Sequence, residues 1–319
     1  MMGNSKEESE DHSMRKWLLI LIVSSFLILT AGVIFQKIGI HLDREAYPPV
    51  GSHVDIEGTE QHITVEGGGE SVVFVPGSGT SSPYADWFEI QQVLTDDAQT
   101  VVYERPGYGW SEQTEAPRSI DRIVSEMDAV LSGSDASPPY TMVAHSMGSL
   151  EVIHYAQQQP EDVNGIVLVD GASPAYAAEM SVPNVLPFRG MQFLRNIGVV
   201  RIAGSIYPGF LDTNESLPGD VLELNRKQTM GNLWNNTMLE ERSHLNDNGQ
   251  VVLHGGKIGD IPLTIITGGA NDMEGWGESQ KALLEWSTQS EQIIVSEGDH
   301  FLHVDHPEVV IDAVRALIH

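Results

Sequence analysis

The stretch that decides the fold is "YTMVAHSMGSLEVIHYA", residues 140–156. Met142, Val143 and Ala144 are an apolar run that ends in His145-Ser146-Met147-Gly148, and Leu150, Ile153 and Ala156 then recur at helical spacing. An apolar run followed at once by a 3.6-residue period reads as a buried strand turning sharply into a helix. A serine stands at the corner, with Ala144 and Gly148 two residues away on either side. A side chain held in so tight a turn is strained, and small neighbours let the two backbones pass. The helix that follows directs its first N–H groups at the corner, where they favour developing negative charge. Small-x-Ser-x-Gly in this setting is the pattern of a nucleophile elbow, with alanine at the first small position.

Outward from the elbow the alternation of strand and helix continues. "HVDIE" and "QHITVE" around Gly58 read as a hairpin, and "SVVFV" (71–75) as a strand buried on both faces. A helical stretch near 84–95 precedes "TVVYE" (100–104), and an amphipathic helix with Ile120, Ile123, Met127, Val130 and Leu131 on one face starts from Pro117. "GIVLVD" (165–170), "PLTIITG" (262–268) and "QIIVSE" (292–297) read as further buried strands, and a last helix runs from Pro307. This order predicts an α/β fold with a doubly wound, mostly parallel sheet over 53–170 and 261–319. Residues 171–260 interrupt it for too long to be a loop, and read as a helical cap over the C-terminal edge of the sheet. Two sequons, Asn214-Glu215-Ser216 and Asn235-Asn236-Thr237, fall in this insert, where such tripeptides also occur by chance.

A serine nucleophile needs a base, and the base an orienting acid. "PLTIITGGANDM" ends a strand and carries Asp272; "SEGDHFLHVDHP" follows the last strand and carries His300. Asp170, at the end of "GIVLVD", is a rival for the acid. With "VFVPGSGTS" (73–81), "VYERPGYGWSE" (102–112), "VAHSMGS" (143–149) and "GDHFLHVDHPE" (298–308), the chain resembles α/β-hydrolase-fold serine hydrolases of the esterase-like group over about residues 55–319. The resemblance implies Ser146 as nucleophile, His300 as general base and acid, and Asp272 as the orienting acid. It also implies the backbone N–H groups of Met147 and Ser78 as oxyanion donors. At the second donor the family's His-Gly pair is replaced by Pro76-Gly77, so Ser78 is placed by aligning Gly77 and Gly79. The expected reaction is hydrolysis of a carboxylic ester through an acyl-serine. Amide, lactone or carbon–carbon hydrolysis, perhydrolysis, and non-catalytic binding are the alternatives; haloalkane and epoxide hydrolysis usually call for an aspartate at the elbow. No metal or organic cofactor is implied. His300, His303 and His306 with Asp305 admit a metal reading, but His303 reads as packing behind the site, and Asp305 or His306 as a cap for the helix begun by Pro307. Arg105 and Tyr108 read as structural loop residues, and Trp87, Phe188, Trp234 and Trp276 as core by default, with an acyl pocket as the alternative.

Charge narrows the partners. The 319 residues carry 45 acidic against 17 basic side chains, a net −28, which disfavours nucleic acid. The absence of cysteine excludes disulfides and thiol chemistry. Residues 17–36, "WLLILIVSSFLILTAGVIFQ", form an uncharged run of twenty. As a helix at about 1.5 Å per residue it spans about 30 Å, a bilayer core. Its length and the poor cleavage site at Leu29-Thr30-Ala31 favour a retained anchor over a cleaved signal. Lys6, Arg15 and Lys16 before it place the N-terminus inside and the large domain outside. Residues 1–16 read as a disordered tail, and 37–52, with Pro48 and Pro49, as a linker.

Overall fold

A computed structural model describes residues 4–180, 184–212 and 214–318. The chain opens with α1 (Asn4–Ala46), followed by the hairpin β1 (Ser52–Ile56) and β2 (Thr59–Gly67). Then come β3 (Ser71–Val75), α2 (Pro83–Leu94), β4 (Gln99–Tyr103), α3 (Ile120–Ser132), β5 (Tyr140–His145), α4 (Gly148–Gln158) and β6 (Val163–Val169). The described elements between residues 170 and 262 are helical: α5 (Pro174–Glu179), α6 (Leu186–Asn196), α7 (Val199–Ile206), α8 (Gly219–Asn232), α9 (Asn236–Ser243) and α10 (Leu245–His254), with short 3₁₀ turns. The sheet resumes with β7 (Leu263–Gly268), α11 (Trp276–Leu283) and β8 (Ser290–Val295), and α12 (Leu302–Asp305) and α13 (Pro307–Ile318) close the chain.

The eight strands of the described residues lie in the order β1-β2-β4-β3-β5-β6-β7-β8. Only the hairpin and the β2–β4 pairing are antiparallel; every pairing from β4 to β8 is parallel. Strands β3, β5 and β7 are buried along their whole length, as continuous apolar runs require when helices cover both faces. One face packs Met142, Ala144, Ile166 and Ile265 against Val124 and Met127 of α3 and Ile153 of α4. The other packs Phe74, Val143, Val167 and Ile266 against Trp87 of α2 and Val310 and Val314 of α13.

Four expectations, on the tail, the linker, the start of α3 and the last strand, are corrected. The N-terminal tail is helical from Asn4, and the linker expected at 37–52 is helix as far as Ala46, because residues 36–43 are held by the insert. Gln36 Nε2 donates to Met230 O at 2.7 Å, and Arg201 donates to Gln36 Oε1 at 3.0 Å and to Asp43 at 2.5 Å. The helix expected from Pro117 begins at Ile120, whose N–H is capped by Asn248 Oδ1 at 2.8 Å, a partner remote in sequence. "QIIV" is an edge strand, with Ile294 exposed, and is not buried on both faces. Both sequon asparagines are buried; Asn235 caps α9 and donates to Gly107 O.

Candidate active site

The elbow is built as its residue sizes require. Ser146 has φ +52°, a left-handed backbone that a side chain tolerates only when its surroundings impose it. A Cβ on Gly148 would lie 2.7 Å from Pro76 O, so glycine is needed for the turn to pass β3. Ser149 Oγ shares its one proton between Ser146 O at 2.7 Å and Ala172 O at 2.6 Å, and Ala172 N–H donates to Ser146 O at 3.0 Å, tying the turn to the end of β6.

Ser146 Oγ lies 2.9 Å from His300 Nε2, and His300 Nδ1 lies 2.7 Å from Asp170 Oδ2. With Nδ1–H donating to the carboxylate, Nε2 is left as the acceptor for the serine hydroxyl. The acid expected at Asp272 is therefore not the one beside the imidazole: Asp272 is exposed in the loop after β7, and Asp170 takes that position. The reason is burial. Asp170 directly follows the last residue of a buried strand and is 0% exposed. A carboxylate out of water must find donors. Asp170 Oδ1 accepts from Gly268 N–H at 3.0 Å, and Oδ2 from Asn271 Nδ2 at 2.7 Å, Trp276 Nε1 at 2.9 Å and His300. The "GGAND" loop thus supplies donors to the acid instead of the acid itself. Asn271 and Trp276 were not singled out for this role; an amide and an indole N–H just past a strand end, opposite a strand-terminal aspartate, are the signal that could have found them.

Behind the serine, His145 Nε2 donates to His300 O at 3.0 Å, fixing the loop that carries the imidazole. Burial, with His303 and His300 adding, lowers the pKa of His145 well below its ordinary value, so the ring is neutral. His303 packs between Trp87 and His145, with centroids 4.7 and 4.3 Å away, and its Nε2 lies 3.1 Å from Asp86. Asp86, His145 and His303 bring potential metal-ligating atoms within 4.8 Å of one another, whereas His300 faces the other way, to Ser146 and Asp170.

The loop after β3 is clamped from beneath. Arg105, fully buried, donates from Nη1 to Pro76 O at 2.9 Å and from Nη2 to Gly77 O at 2.8 Å. It pairs with Glu151 of α4 at 2.5 Å and Glu241 of α9 at 3.2 Å. Tyr108 OH accepts from Gly79 N–H at 3.1 Å and donates to Glu241 at 2.8 Å. One buried cation therefore ties the β3 loop, the helix behind the serine and the helical insert together. Burial, with Glu241 adding, pushes Glu151 up to about 8 against the pull of Arg105. Among the described residues, none accepts a hydrogen bond from the N–H groups of Met147 and Ser78. Gly79 has φ +85°, and a Cβ there would meet the Trp234 ring at 2.6 Å; Trp234 in turn packs on Phe188 with centroids 4.2 Å apart. Trp87, by contrast, is core beneath His303, and Trp276 serves Asp170.

Comparison with known proteins agrees with this architecture. The family described as alpha/beta hydrolase fold matches residues 70–307. The uncharacterized protein YbdG of Bacillus subtilis is 28% identical over 203 residues, 60% of this chain and 62% of the relative's length. Among solved structures, the epoxide hydrolase VrEH1 from Vigna radiata superposes with a TM-score of 0.62 at 20% identity, over 84% of this chain and 97% of that one. The enol-lactonase from Burkholderia xenovorans LB400 does so with a TM-score of 0.60 at 16% identity, over 84% and 99%. At such identities the structural likeness speaks for the fold, and the family match covers most of the chain: this protein belongs to the α/β hydrolase fold family.

Proposed function

We propose that this protein is a serine hydrolase that cleaves a carboxylic ester through an acyl-serine intermediate. The observation that carries the reading is the continuous hydrogen-bonded line from Ser146 Oγ through His300 to Asp170. Ser146 Oγ attacks the ester carbonyl as His300 Nε2 takes its proton. The alkoxide of the tetrahedral intermediate is received by the N–H groups of Met147 and Ser78, each such donor being worth a factor of ~10²–10³ in rate. The imidazolium, held by Asp170, returns the proton to the departing alcohol. A water then attacks the acyl-serine with His300 again as base, and the acid is released. Asp170 holds the imidazole in place throughout, itself fixed by the donors that converge on it from Gly268, Asn271 and Trp276.

The same reading places the enzyme at a membrane. The described residues include one helix long and apolar enough to cross a bilayer, over His12–Ala46. We read it as an anchor with the N-terminus inside, and residues 171–260 as a cap over the site. The test is turnover of p-nitrophenyl esters from short to long acyl chain beside amide and lactone substrates. The ester series is expected to be turned over fastest, and Ser146→Ala to lower its turnover by about 10⁴–10⁶-fold. Unchanged turnover in that variant would remove Ser146 from the chemistry.

A further inference from the structure

The helical insert inverts the usual surface. Residues 180–211 contain no aspartate or glutamate, although the chain has 45, and carry Arg189, Arg195 and Arg201. On α6, α7 and the turn after them, Leu186, Met191, Phe193, Leu194, Ile202, Ile206, Tyr207 and Phe210 are exposed; Ile206 is 79% exposed and Phe193 54%. Large aliphatic and aromatic groups grouped in this way, on a chain otherwise rich in acid, mark a contact surface.

The position of the face identifies its occupant. Gly32 of α1 leaves no room for a Cβ against the carbonyl of Ile197, and Gly198 packs on the ring of Phe35. Gly32 lies four residues, about 6 Å along a helix, before the end of the uncharged run at Gln36. The corner between α6 and α7 is therefore held at the depth where that run would leave the bilayer. Apolar side chains at that level meet acyl chains, and the lack of acidic groups removes the repulsion that the rest of the chain would feel at anionic headgroups. At its other end α6 reaches the catalytic side: Phe188 stacks on Trp234, whose ring covers Gly79 in the loop that carries Ser78.

We propose that the apolar face of α6, α7 and Phe210 lies in the outer leaflet of the bilayer that α1 crosses, and that the site takes esters whose acyl chain comes from that leaflet. The proposal rests on the anchor reading above. Because the chain has no cysteine, single fluorophores can be attached to the full-length protein at Ile28→Cys in the span, at Phe193→Cys and Ile206→Cys on the face, and at Lys257→Cys away from it. The protein is reconstituted in vesicles of phosphatidylcholine and phosphatidylglycerol with brominated acyl chains. Quenching at 28, 193 and 206 but not at 257 is the expected result. Quenching at 28 alone overturns the docking and leaves the anchor standing. No quenching at 28 overturns the anchor and the docking together. Shielding of 193 and 206 with label-to-label transfer between chains assigns the face to a second copy and overturns the proposal. In addition, Ile206→Asp with Phe210→Asp is expected to lower turnover of a long-chain ester in vesicles about tenfold while leaving a soluble short-chain ester unaffected. Equal turnover of the vesicle-bound ester by variant and parent contradicts the substrate half of the proposal.

Discussion

The rim of the sheet and the outer face of the helical insert break the same rule in opposite directions. At the rim, ionisable groups are inside: Asp170, Arg105, Glu151 and Glu241 are all buried. On the insert, Ile206, Phe193 and Leu186 are outside. A buried charge is costly unless every lone pair and proton finds a partner, and Asp170 finds four donors. An exposed apolar face is costly unless something other than water covers it. The difference teaches that the two departures serve different tasks. The inner one holds an imidazole in a single tautomer at 2.9 Å from an alcohol; the outer one, in the docking proposed above, sets where the molecule sits.

The sharpest way to break the comparison is at the acid. If burial and donors define the catalytic carboxylate, Asp170→Asn lowers kcat by about 10⁴-fold, because the amide no longer fixes the Nδ1–H tautomer of His300. Asp272→Asn, on the exposed loop, changes it by no more than about twofold. Steady-state kinetics on one ester reads both, and the opposite ranking would restore Asp272. A smaller effect is expected from Trp276→Phe. The ring is kept and one donor to Asp170 is lost; a hydrogen bond to a charged group is worth ~1.5–3 kcal/mol, so kcat falls about 10- to 100-fold at unchanged fold. Wild-type kcat in that variant would show that three donors suffice.

The smallest effect concerns stability and pH. Buried Glu151 keeps its proton up to about 8 in the folded chain, against an ordinary 4.5. Between those values the folded state binds more protons than the unfolded one, so stability falls as pH rises, and the loss is complete above the folded value. His145 acts below its ordinary 6.5, where its lowered pKa makes stability fall as pH drops. From pH 6.5 to 8 the Glu151 contribution therefore stands apart. Denaturant melts in that window are expected to show stability declining with pH in the wild type and a flatter profile in Glu151→Gln.

Much of the rim was legible in the sequence because local pattern fixes it. Apolar runs at 71–75, 140–145 and 262–268 could only be buried strands, and a serine between Ala144 and Gly148 at such a strand's end could only be a turn. The choice between Asp170 and Asp272 was not legible. Both follow buried strands, and spacing alone does not say which loop end turns back under His300. Burial decides it, since a residue directly after a strand stays within the sheet layer and one four residues further on reaches solvent. The helix at 37–46 was hidden behind Pro48 and Pro49 because its order comes from Met230 and Arg201, more than 150 residues away. The Arg105 clamp escaped the sequence for the same reason: its partners on α4 and α9 meet only in the fold.

The central claim is that Ser146 is an activated nucleophile, and covalent capture tests it most directly. The intact folded protein is treated with a fluorophosphonate and the modified peptide is identified by mass spectrometry. The account predicts one adduct, on Ser146, abolished by Ser146→Ala and slowed in Asp170→Asn. A folded chain that stays unlabelled, or carries its label on another residue, contradicts it.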